Sequence, residues 1–505
     1  MIVKVFSWFG KNSSQVHQVI ESMGKWMHRY VSINTTNTIG SLAKKMLNAT
    51  NGILRRGSSS SKIYKFYNEF IDNDADKYEF IKNFKRGGIS HCNQHGWHRE
   101  GICGVDIKSQ YPAALINMLI PAGKSRWITI YEPDAKGYYL LKNIKWSADA
   151  KAFKPIASKK ESGVLDWSDS NLSKCYVDSY MLQYLQEHCG LVSFDVIKGL
   201  VSDSDIEGTL LFGTYVNTLY KEKAQQDELK DAKDPAYNKP YREVVKLFLN
   251  SVTGKLVEDP SKYGQLAFYE GDEKVHGDKT INGTVTLYNK DENEGKINEW
   301  INAGVMVYSY SKRNLWDYIN CLPNKADDVI HVETDGLYFG LPNKQLFIDN
   351  LEKLNHSMIK MGSELGNIEE DVATNDESFW EGKKDYFIGD EYYKPDGHID
   401  YNKTKIRFKG TPKTTIDDEG NTIDVLDKQF FINRYNGKTV KKTFKTISKQ
   451  LYDTKQTSNL SLAGFNMSRK STPHNFKYFR VYEEIDGKVV KQPWRKYVGR
   501  LPHTQ

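Results

Sequence analysis

Apolar and polar residues alternate most regularly over residues 329–341, VIHVETDGLYFGL. This period of two on both sides of 334–336 predicts a hairpin of two short strands that presents acids at its tip. A further strand is predicted over 101–107, and it runs into the sequence SQYP. Because proline interrupts extended pairing, Asp106 is expected at the end of this strand, with a helix following over 113–120.

Helical spacing of apolar residues marks most of the other segments. The predicted helices cover 16–30, 41–47, 179–188, 206–226 and 241–249. The serine-rich run at 57–62 predicts a flexible break, and the polar stretch 269–300 predicts a mobile excursion. The sequence EEIDGKVV at 483–490 predicts a terminal hairpin.

Charge is distributed unevenly along the 505 residues, whose net charge is +7. From Tyr401 onward, 22 lysines and arginines face 9 acids, whereas residues 1–400 carry 49 against 55. A basic segment beside an acidic body suits a protein that grips a polyanion with one part and binds divalent metal with another. A solvated, lysine-rich face is the alternative reading of the same excess.

The remaining composition limits the cellular setting. Five cysteines are scattered without a CxxC pair, which predicts reduced thiols. No run of about 18 apolar residues and no secretory signal occurs, so no membrane partner is expected. The expected compartment is cytoplasmic, with nucleus or mitochondrion left open.

Paired acids are the candidate chemistry. Transfer of a nucleotide to a growing chain uses two divalent ions roughly 3.5–4 Å apart, and Mg²⁺ needs only a few carboxylate ligands. Asp106 and Asp335 are the candidate ligands, together with Glu333 on the same hairpin and a backbone carbonyl beside Asp106, at Val105 or Ile107.

One predicted helix, YREVVKLFLNSVTGKL, carries a cationic face. Arg242, Lys246 and Asn250 recur at a spacing of four residues and so share one side of the helix. Two fixed cations one turn apart can neutralise a triphosphate. The alternative is a solvent-facing basic stripe on an amphipathic helix.

These segments resemble the motifs of family B DNA polymerases. DIKSQYP is similar to their first polymerase motif, KLFLNSVTG to their KxxxNSxYG motif, and VETDG to their YxDTDS motif. More narrowly, FKRGGI, GVMVYSYSKRNL and EGKKDYFI resemble the protein-primed branch of small phages, adenoviruses and linear plasmids. The resemblance implies an α+β polymerase right hand, with an antiparallel palm sheet, helical fingers, a thumb and insertions of the protein-primed type.

The resemblance also implies a division of the chain into regions. A lead-in without an exonuclease covers 1–84, and the palm is formed by 85–123 and 301–425. Between the two palm parts lie an insertion at 124–205 that is similar to the first terminal-protein region, fingers at 206–256 and a second insertion at 257–300. The thumb covers 426–505.

Further site residues follow from the resemblance. The implied nucleotide contacts are Tyr111, Lys221, Lys223, Arg242, Lys246, Asn250 and Ser251. The implied DNA contacts are Gly87, Gly88, Ser109, Thr334, Lys384, Tyr386, Lys441, Lys442 and Lys445. The implied partners are template–primer DNA, deoxynucleotides, a terminal priming protein and a separate exonuclease subunit. The implied cofactor is a pair of Mg²⁺ ions, for which Mn²⁺ can substitute.

Several positions depart from the family pattern. Glu333 stands in place of aspartate, His331 and Thr253 in place of tyrosine, and Gly336 in place of serine. Glu333, Gly336 and Thr253 support one rival hypothesis, a catalytically weakened paralogue that binds nucleic acid. The other rival is a reverse transcriptase or RNA polymerase, whose palm also carries paired acids.

One further cluster suggests different chemistry. The stretch HCNQHGWHREGIC, from His91 to Cys103, contains three histidines and two cysteines and could bind zinc, although its spacing fits no standard finger. The same stretch is expected to form a β-hairpin that leads into the strand of Asp106.

Overall fold

The computed structural model describes most of the chain between residues 39 and 496. The described residues are 39–50, 59–160, 163–168, 172–262, 264–268, 279–281, 285–289, 295–356, 358–409, 411–416, 421–435, 440–444, 463–467, 478–479, 482–485, 488–491 and 495–496. The helix predicted at 16–30 lies outside these ranges. The described helices are α1 (Ile39–Thr50), α2 (Ser59–Asn68), α3 (Ala75–Lys82), α4 (Gln110–Asn117), α5 (Ser179–His188), α6 (Gly208–Asp231), α7 (Lys239–Leu256), α8 (Ile301–Asn320), α9 (Lys344–Leu354) and α10 (Lys428–Tyr435).

Strands are spread along the whole described chain. In the first half they are β1 (Ser90–Cys92), β2 (Gly96–His98), β3 (Ile102–Ile107), β4 (Leu119–Ala122), β5 (Arg126–Ile128), β6 (Lys136–Trp146), β7 (Ser158–Lys159), β8 (Leu165–Asp166), β9 (Cys175–Asp178), β10 (Leu191–Ser202) and β11 (Ser204–Glu207). The later strands are β12 (Gly264–Phe268), β13 (Lys279–Ile281), β14 (Val285–Asn289), β15 (Val329–Glu333), β16 (Gly336–Gly340), β17 (Ile368–Thr374), β18 (Ser378–Gly382), β19 (Asp385–Ile388), β20 (Lys405–Arg407), β21 (Thr414–Ile416), β22 (Thr422–Asp424), β23 (Val440–Phe444), β24 (Ala463–Met467), β25 (Tyr478–Phe479), β26 (Tyr482–Ile485), β27 (Lys488–Lys491) and β28 (Arg495–Lys496).

A five-stranded antiparallel sheet forms the centre, in the order β1-β15-β16-β3-β17. The predicted hairpin is confirmed as β15 and β16, with the turn at Thr334 and Asp335. The predicted strand before Asp106 is confirmed as β3, which begins at Ile102. Nearly every side chain on β3, β15 and β16 is buried, so both faces of this part of the sheet are covered.

The helix after β3 differs from its prediction. It spans Gln110–Asn117, and the end of the predicted segment belongs to strand β4 instead. Pro112 is accommodated because it lies in the first turn, where backbone N–H groups have no helical partner. Strand β4 pairs with β11, from Leu119 opposite Glu207 to Ala122 opposite Ser204. This ladder joins the two ends of the predicted insertion.

That insertion, 124–205, carries a sheet of its own in the order β5-β10-β6-β9. Helix α5 has the bounds that its apolar spacing predicts, 179–188, and Asp178 caps it by accepting a hydrogen bond from the N–H of Met181 at 3.0 Å. Helices α6 and α7 are both longer than predicted, because their polar ends continue the helix beyond the apolar pattern.

Helices α1 to α3 share one hydrophobic core with α4, α6, α7 and α8. Leu42, Phe70 and Ile81 from the lead-in are buried beside Phe212, Val245 and Trp300. The described part of the lead-in is therefore integrated into the helical core rather than forming a separate unit.

A six-stranded sheet, β20-β19-β18-β2-β25-β28, lies next to the central sheet. Trp97 on β2 packs with Phe379 and Phe387. The expectation of a hairpin between His91 and Cys103 is wrong, because β1 pairs with β15 whereas β2 pairs with β18 and β25. Pairing with sequence-distant strands outweighs the local hairpin.

The remaining expectations concern smaller elements. Strands β12, β14 and β13 form a three-stranded sheet within the second insertion. The terminal hairpin is confirmed as β26 and β27, from Tyr482 opposite Lys491 to Ile485 opposite Lys488. All five cysteines are buried free thiols. Within the described ranges, no helix has the length and apolar character that crossing a bilayer requires.

Candidate active site

Asp106 and Asp335 lie at neighbouring strand ends. Asp106 is in register with Gly336 across β3 and β16, one residue from Asp335. The N–H of Ile107 donates to the carbonyl oxygen of Asp335 at 2.9 Å, and the N–H of Thr334 donates to the carbonyl of Ile89 at 2.5 Å. Two acids that are 229 positions apart in sequence are thus fixed side by side through backbone bonds.

The charged forms of the two carboxyls are disfavoured by their surroundings. Burial, and then the charge of Asp335, raise the pKa of Asp106 to about 7. Asp371 and Glu369 add to this rise, whereas Lys246 opposes it. Burial also raises the pKa of Asp335, where Lys246 again acts in the opposite direction. Crowded, half-buried carboxylates of this kind are stabilised by a cation.

The donor set fits a hard divalent ion. Two carboxylates and nearby backbone carbonyls offer oxygen ligands, which suits Mg²⁺ because it keeps several of its waters. Within the described part of the chain, no three His, Cys, Asp or Glu side chains are arranged as a complete protein cage for a metal. Two carboxylates supply only part of the coordination shell of Mg²⁺, and water or substrate can supply the rest.

Two acids near Asp106 were missed by the sequence reasoning. Glu369 on β17 is in register with Asp106, and Asp371 lies at an irregularity in the same pairing. Lys108 pairs with Glu369 at 2.7 Å, and Lys405 pairs with Asp371 at 2.6 Å. The acidic run EED at 369–371 was the available signal, but nothing local indicates that this strand lies beside β3.

Glu333 makes its contacts within the protein. Its carboxylate pairs with Lys384 at 2.8 Å and accepts a hydrogen bond from the Ser90 hydroxyl at 3.3 Å. Nε2 of His331 lies 3.6 Å from the same carboxylate. Burial alone would raise the pKa of Glu333, but His331 and Lys384 outweigh it and lower the pKa.

The cationic face on α7 is divided between two environments. Lys246 and Asn250 are exposed, and Lys246 is within electrostatic reach of both catalytic candidates. Ser251, the next residue, is half-buried. Arg242 instead forms an ion pair with Asp227 on α6 and a second one with Glu243 at 2.8 Å.

Lys223 also belongs to the contact between α6 and α7. Its side chain is buried, and its ammonium pairs with Asp227 at 3.0 Å. Burial and the Asp227 carboxylate both engage Lys223 in this structure, and its contact with a nucleotide stays a prediction. Lys221, two residues earlier, is exposed.

Tyr111 lies beside the hairpin tip. Its hydroxyl would be 2.9 Å from a Cβ atom added at Gly88, and Thr334 Cγ2 would be 2.8 Å away. The Tyr111 ring meets Tyr308 edge to face at 5.6 Å. Burial is the main cause that raises the pKa of the Tyr111 hydroxyl. Gly88 is therefore required for this close approach, whereas Gly87 faces open space.

Three of the predicted DNA contacts have left-handed backbone conformations. Ser109, Thr334 and Lys384 have φ angles of 51°, 63° and 63°. Ser109 precedes α4, Thr334 is at the hairpin tip, and Lys384 is in the turn between β18 and β19. Non-glycine residues adopt this conformation at an energetic cost, and such strain concentrates at functional sites.

The other predicted DNA contacts are Tyr386 and three lysines near the C-terminus. The Tyr386 ring stacks on Trp380 at 4.5 Å. Lys441 and Lys442 lie on β23, opposite Asn466 and Phe465 of β24. Lys445 is outside the described residues.

The histidines of the suggested zinc cluster are dispersed. His91 packs against Phe153 with ring centroids 4.6 Å apart, and burial lowers its pKa to about 4. Nδ1 of His95 lies 3.0 Å from the carbonyl oxygen of Glu381 and donates to it in the tautomer that carries the proton on Nδ1. His98 lies 3.7 Å from Glu100. The three histidines thus have different partners, in the insertion, on β18 and before β3.

Comparison with known proteins identifies the family. A family model for DNA polymerase type B, organellar and viral, matches residues 14–328. No curated protein sequence matches the chain. Phi29 DNA polymerase with primer–template DNA, in a post-translocation binary complex, has a TM-score of 0.58 at 14% identity, over 90% of this chain and 70% of that one. The ternary complex of phi29 DNA polymerase with incoming nucleotide substrates gives 0.52 at 15% identity, over 86% and 68%.

An orthorhombic crystal form of phi29 DNA polymerase gives a TM-score of 0.53 at 16% identity, over 79% of this chain and 63% of that chain. At such identities the likeness shows the fold, and it confirms the α+β polymerase architecture that the sequence predicts. The family model extends over well more than half of the chain. The chain therefore belongs to the organellar and viral type B DNA polymerases.

Proposed function

We propose that Asp106 and Asp335 are the catalytic carboxylates with which this DNA polymerase adds deoxynucleotides to a 3′-hydroxyl. The observation that carries the proposal is their convergence at adjacent strand ends, with Lys246 within electrostatic reach of both. Residues from three separate chain segments thus combine negative charge for metal with positive charge for a triphosphate.

The two carboxylates, with a backbone carbonyl at Val105 or Ile107, would hold two Mg²⁺ ions. When bound, such ions activate the attacking hydroxyl and stabilise the departing pyrophosphate. Mn²⁺ can occupy the same site because it also takes oxygen ligands. The raised pKa of Asp106 supports this assignment, since a carboxyl destabilised by its acidic neighbours gains most from a cation.

The nucleotide would bind between the central sheet and α7. Lys246 neutralises the triphosphate as negative charge moves onto pyrophosphate, and Lys221 assists from α6. Asn250 and Ser251 border the nascent base pair. The Tyr111 ring, held beside Gly88 and Tyr308, lies under the sugar and obstructs a 2′-hydroxyl.

Arg242 contributes in a second way. Its guanidinium is engaged by Asp227 and Glu243 in the described structure, so it would contact a triphosphate only after exchanging these partners. Until then, the Arg242–Asp227–Lys223 group joins α6 to α7 and holds Lys246 in place. In this proposal, Lys223 therefore supports the site by helping to hold α6 and α7 together.

DNA would lie across both sheets. Gly87, Gly88, Ser109 and Thr334 line the approach to the hairpin, and Lys384 and Tyr386 hold the primer strand. The basic C-terminal region, including Lys441, Lys442 and Lys445, grips the duplex through phosphate contacts that are independent of sequence.

We assign the regions of the chain in line with this proposal. The five-stranded sheet would be the palm, α6 and α7 the fingers, and 426–505 the thumb. The sheet formed by β5, β10, β6 and β9 would dock a priming protein, and the second insertion, 257–300, would wrap the template. A separate exonuclease would complete the replication of a viral or plasmid genome.

Primer extension tests the proposal against both rivals. A labelled DNA primer on a DNA or an RNA template is incubated with Mg²⁺ and either deoxynucleotides or ribonucleotides. We expect extension on DNA with deoxynucleotides. Efficient copying of RNA would favour a reverse transcriptase, and ribonucleotide incorporation would favour an RNA polymerase. DNA binding without any extension would favour the weakened paralogue.

Priming requires a separate measurement. A protein-primed enzyme joins the first deoxynucleotide to a protein hydroxyl. Incubation with a candidate priming protein and radiolabelled nucleotide should therefore attach the label to that protein, and nuclease treatment should not remove the label. Replacing exposed apolar residues of 124–205, Ile130 and Val192, by serine should weaken this labelling while extension of a DNA primer remains. Equal loss of both reactions would remove the priming role from the insertion.

A further inference from the structure

Two departures from the family motif are neighbours in space. His331 and Glu333 are separated by one residue on β15, so their side chains lie on the same face of the sheet. His331 stands where the resembled motif has tyrosine, and Glu333 where it has aspartate. The side chain at position 331 is therefore shorter than in the family motif, and the side chain at position 333 is longer.

His331 is completely buried, with 0% exposure. Its ring packs on Trp380 with centroids 4.9 Å apart and lies 5.9 Å from the ring of Tyr386. Among the described residues, neither ring nitrogen of His331 has a hydrogen-bond partner at normal distance. Nε2 is nevertheless 3.6 Å from the Glu333 carboxylate. A buried polar ring without a better partner is directed toward that acid.

The longer arm of Glu333 extends toward these neighbours. One carboxylate oxygen pairs with Lys384 at 2.8 Å, and the other accepts from Ser90 at 3.3 Å and faces His331. Both oxygens are thus engaged by protein groups.

Lys384, which pairs with Glu333, and Tyr386, which lies beside His331, belong to the hairpin of β18 and β19. Lys384 has a left-handed backbone, φ 63°, between β18 and β19, and Tyr386 follows on β19. A strained turn keeps its conformation only when surrounding contacts determine it. Glu333 fixes the Lys384 ammonium, while His331 and Trp380 flank the Tyr386 ring.

We propose that Glu333 is a positioning residue rather than a metal ligand, and that His331 and Glu333 form a matched pair which holds Lys384 and Tyr386 against the primer strand. This inference rests on the proposed function, because it assigns the primer to that turn. The shorter ring leaves the room that the longer acid requires, so the two departures compensate for each other and catalytic capacity is retained.

The test compares single and double variants in primer extension. Glu333→Gln keeps the size of the side chain and removes its charge, so the KM for primer–template should rise about tenfold. The Mg²⁺ concentration for half-maximal rate and the KM for deoxynucleotide should stay unchanged. Asp335→Asn is the matched comparison, and it should increase the Mg²⁺ requirement.

Two double variants measure the energetic coupling between these residues. One combines Glu333→Gln with Lys384→Ala, and the other combines His331→Tyr with Glu333→Asp, which restores the family motif. Glu333→Gln and Lys384→Ala should not be additive, because each breaks the same ion pair. His331→Tyr and Glu333→Asp should each impair extension, and the double variant should recover most of the loss. Thermal midpoints of all variants establish that they fold, and Ser90→Ala supplies a milder change if one of them does not.

The outcomes separate the two proposals. An increased Mg²⁺ requirement in Glu333→Gln, comparable with that of Asp335→Asn, would make Glu333 a ligand and overturn the inference. Additive losses in the double variants would equally exclude a matched pair. If the unmodified protein fails to extend a primer, the proposed function fails instead, irrespective of Glu333.

Discussion

The N–H of Ile107 donates a 2.9 Å hydrogen bond to the carbonyl oxygen of Asp335. This bond ties the last residue of β3 to the tip of the hairpin between β15 and β16. Side chains at a strand end are otherwise free to diverge, so the bond fixes the spacing of the acids on either side of it. The metal assignment depends on this fixed spacing.

Removal of either acid should therefore abolish synthesis. Asp106→Ala and Asp335→Ala should each reduce extension by about a hundredfold or more, since each removes a ligand from the transferring group. Duplex affinity, measured by fluorescence anisotropy without nucleotide, should change little. Asp203→Ala, an acid whose side chain is 83% exposed, is the control. Retention of more than about a tenth of the activity in either variant would refute the assignment.

Tyr111 should control the choice of sugar. Tyr111→Ala removes the ring that obstructs a 2′-hydroxyl, so the ratio of kcat/KM for deoxynucleotide over ribonucleotide should fall about tenfold or more. Tyr111→Phe keeps the ring and should keep the ratio. An unchanged ratio in the alanine variant would show that Tyr111 serves only to pack against Tyr308.

Lys246 should contribute more to catalysis than other cations of the two long helices. Lys246→Ala should lower kcat/KM for deoxynucleotide by about a hundredfold, because it removes a positive charge that lowers the pKa of both carboxyls. Lys230→Ala, an exposed lysine at the end of α6, should have no measurable effect. Similar losses in both variants would indicate that the total positive charge of the two helices matters, and not the position of Lys246.

Asp227 should stabilise the junction of α6 and α7. Asp227→Asn weakens its contacts with Arg242 and Lys223, so the free energy of unfolding should fall by about 1–2 kcal/mol at pH 7. Asp231→Asn, at the exposed end of α6, should leave it unchanged. Urea unfolding of both variants provides the measurement, and equal stability of Asp227→Asn and the unmodified chain would contradict the prediction.

The same interaction has a defined pH dependence. Burial alone would raise the pKa of Asp227, but Arg242 and Lys223 outweigh it and hold the pKa below its usual value. Ionised Asp227 therefore favours the folded state, fully so above the pKa of the unfolded chain, about 3.9. The difference between Asp227→Asn and the unmodified chain should persist from pH 7 to about 4 and shrink only below it.

The described lead-in should not degrade mismatched primers. Its acids serve the helices: Asp74 caps α3 by accepting from the N–H groups of Asp76 and Lys77, and Glu79 pairs with Lys82 at 2.6 Å. Incubation of a mismatched, end-labelled primer with Mg²⁺ and without nucleotide should leave it intact. Stepwise shortening that persists in Asp106→Ala would require a second metal site and would contradict this prediction.

The sequence by itself determined the local elements that carry the two main acids. Alternation over 329–341 predicted the hairpin of Asp335, and the strand before SQYP placed Asp106 at its end. Helix α5 was predicted with its exact bounds. Such features follow from side-chain periodicity and from turn residues, which act over a few positions and are therefore legible in one sequence.

Only the tertiary structure decided which segments meet. It placed Glu369 and Asp371 beside Asp106, separated β1 from β2 into different sheets, and engaged Lys223 with Asp227. It also showed that Glu333 faces Lys384 and His331. The order of strands in a sheet and the choice of ion-pair partners depend on packing between segments that are far apart in sequence. The local periodicity of a strand does not indicate which distant segment will pair with it.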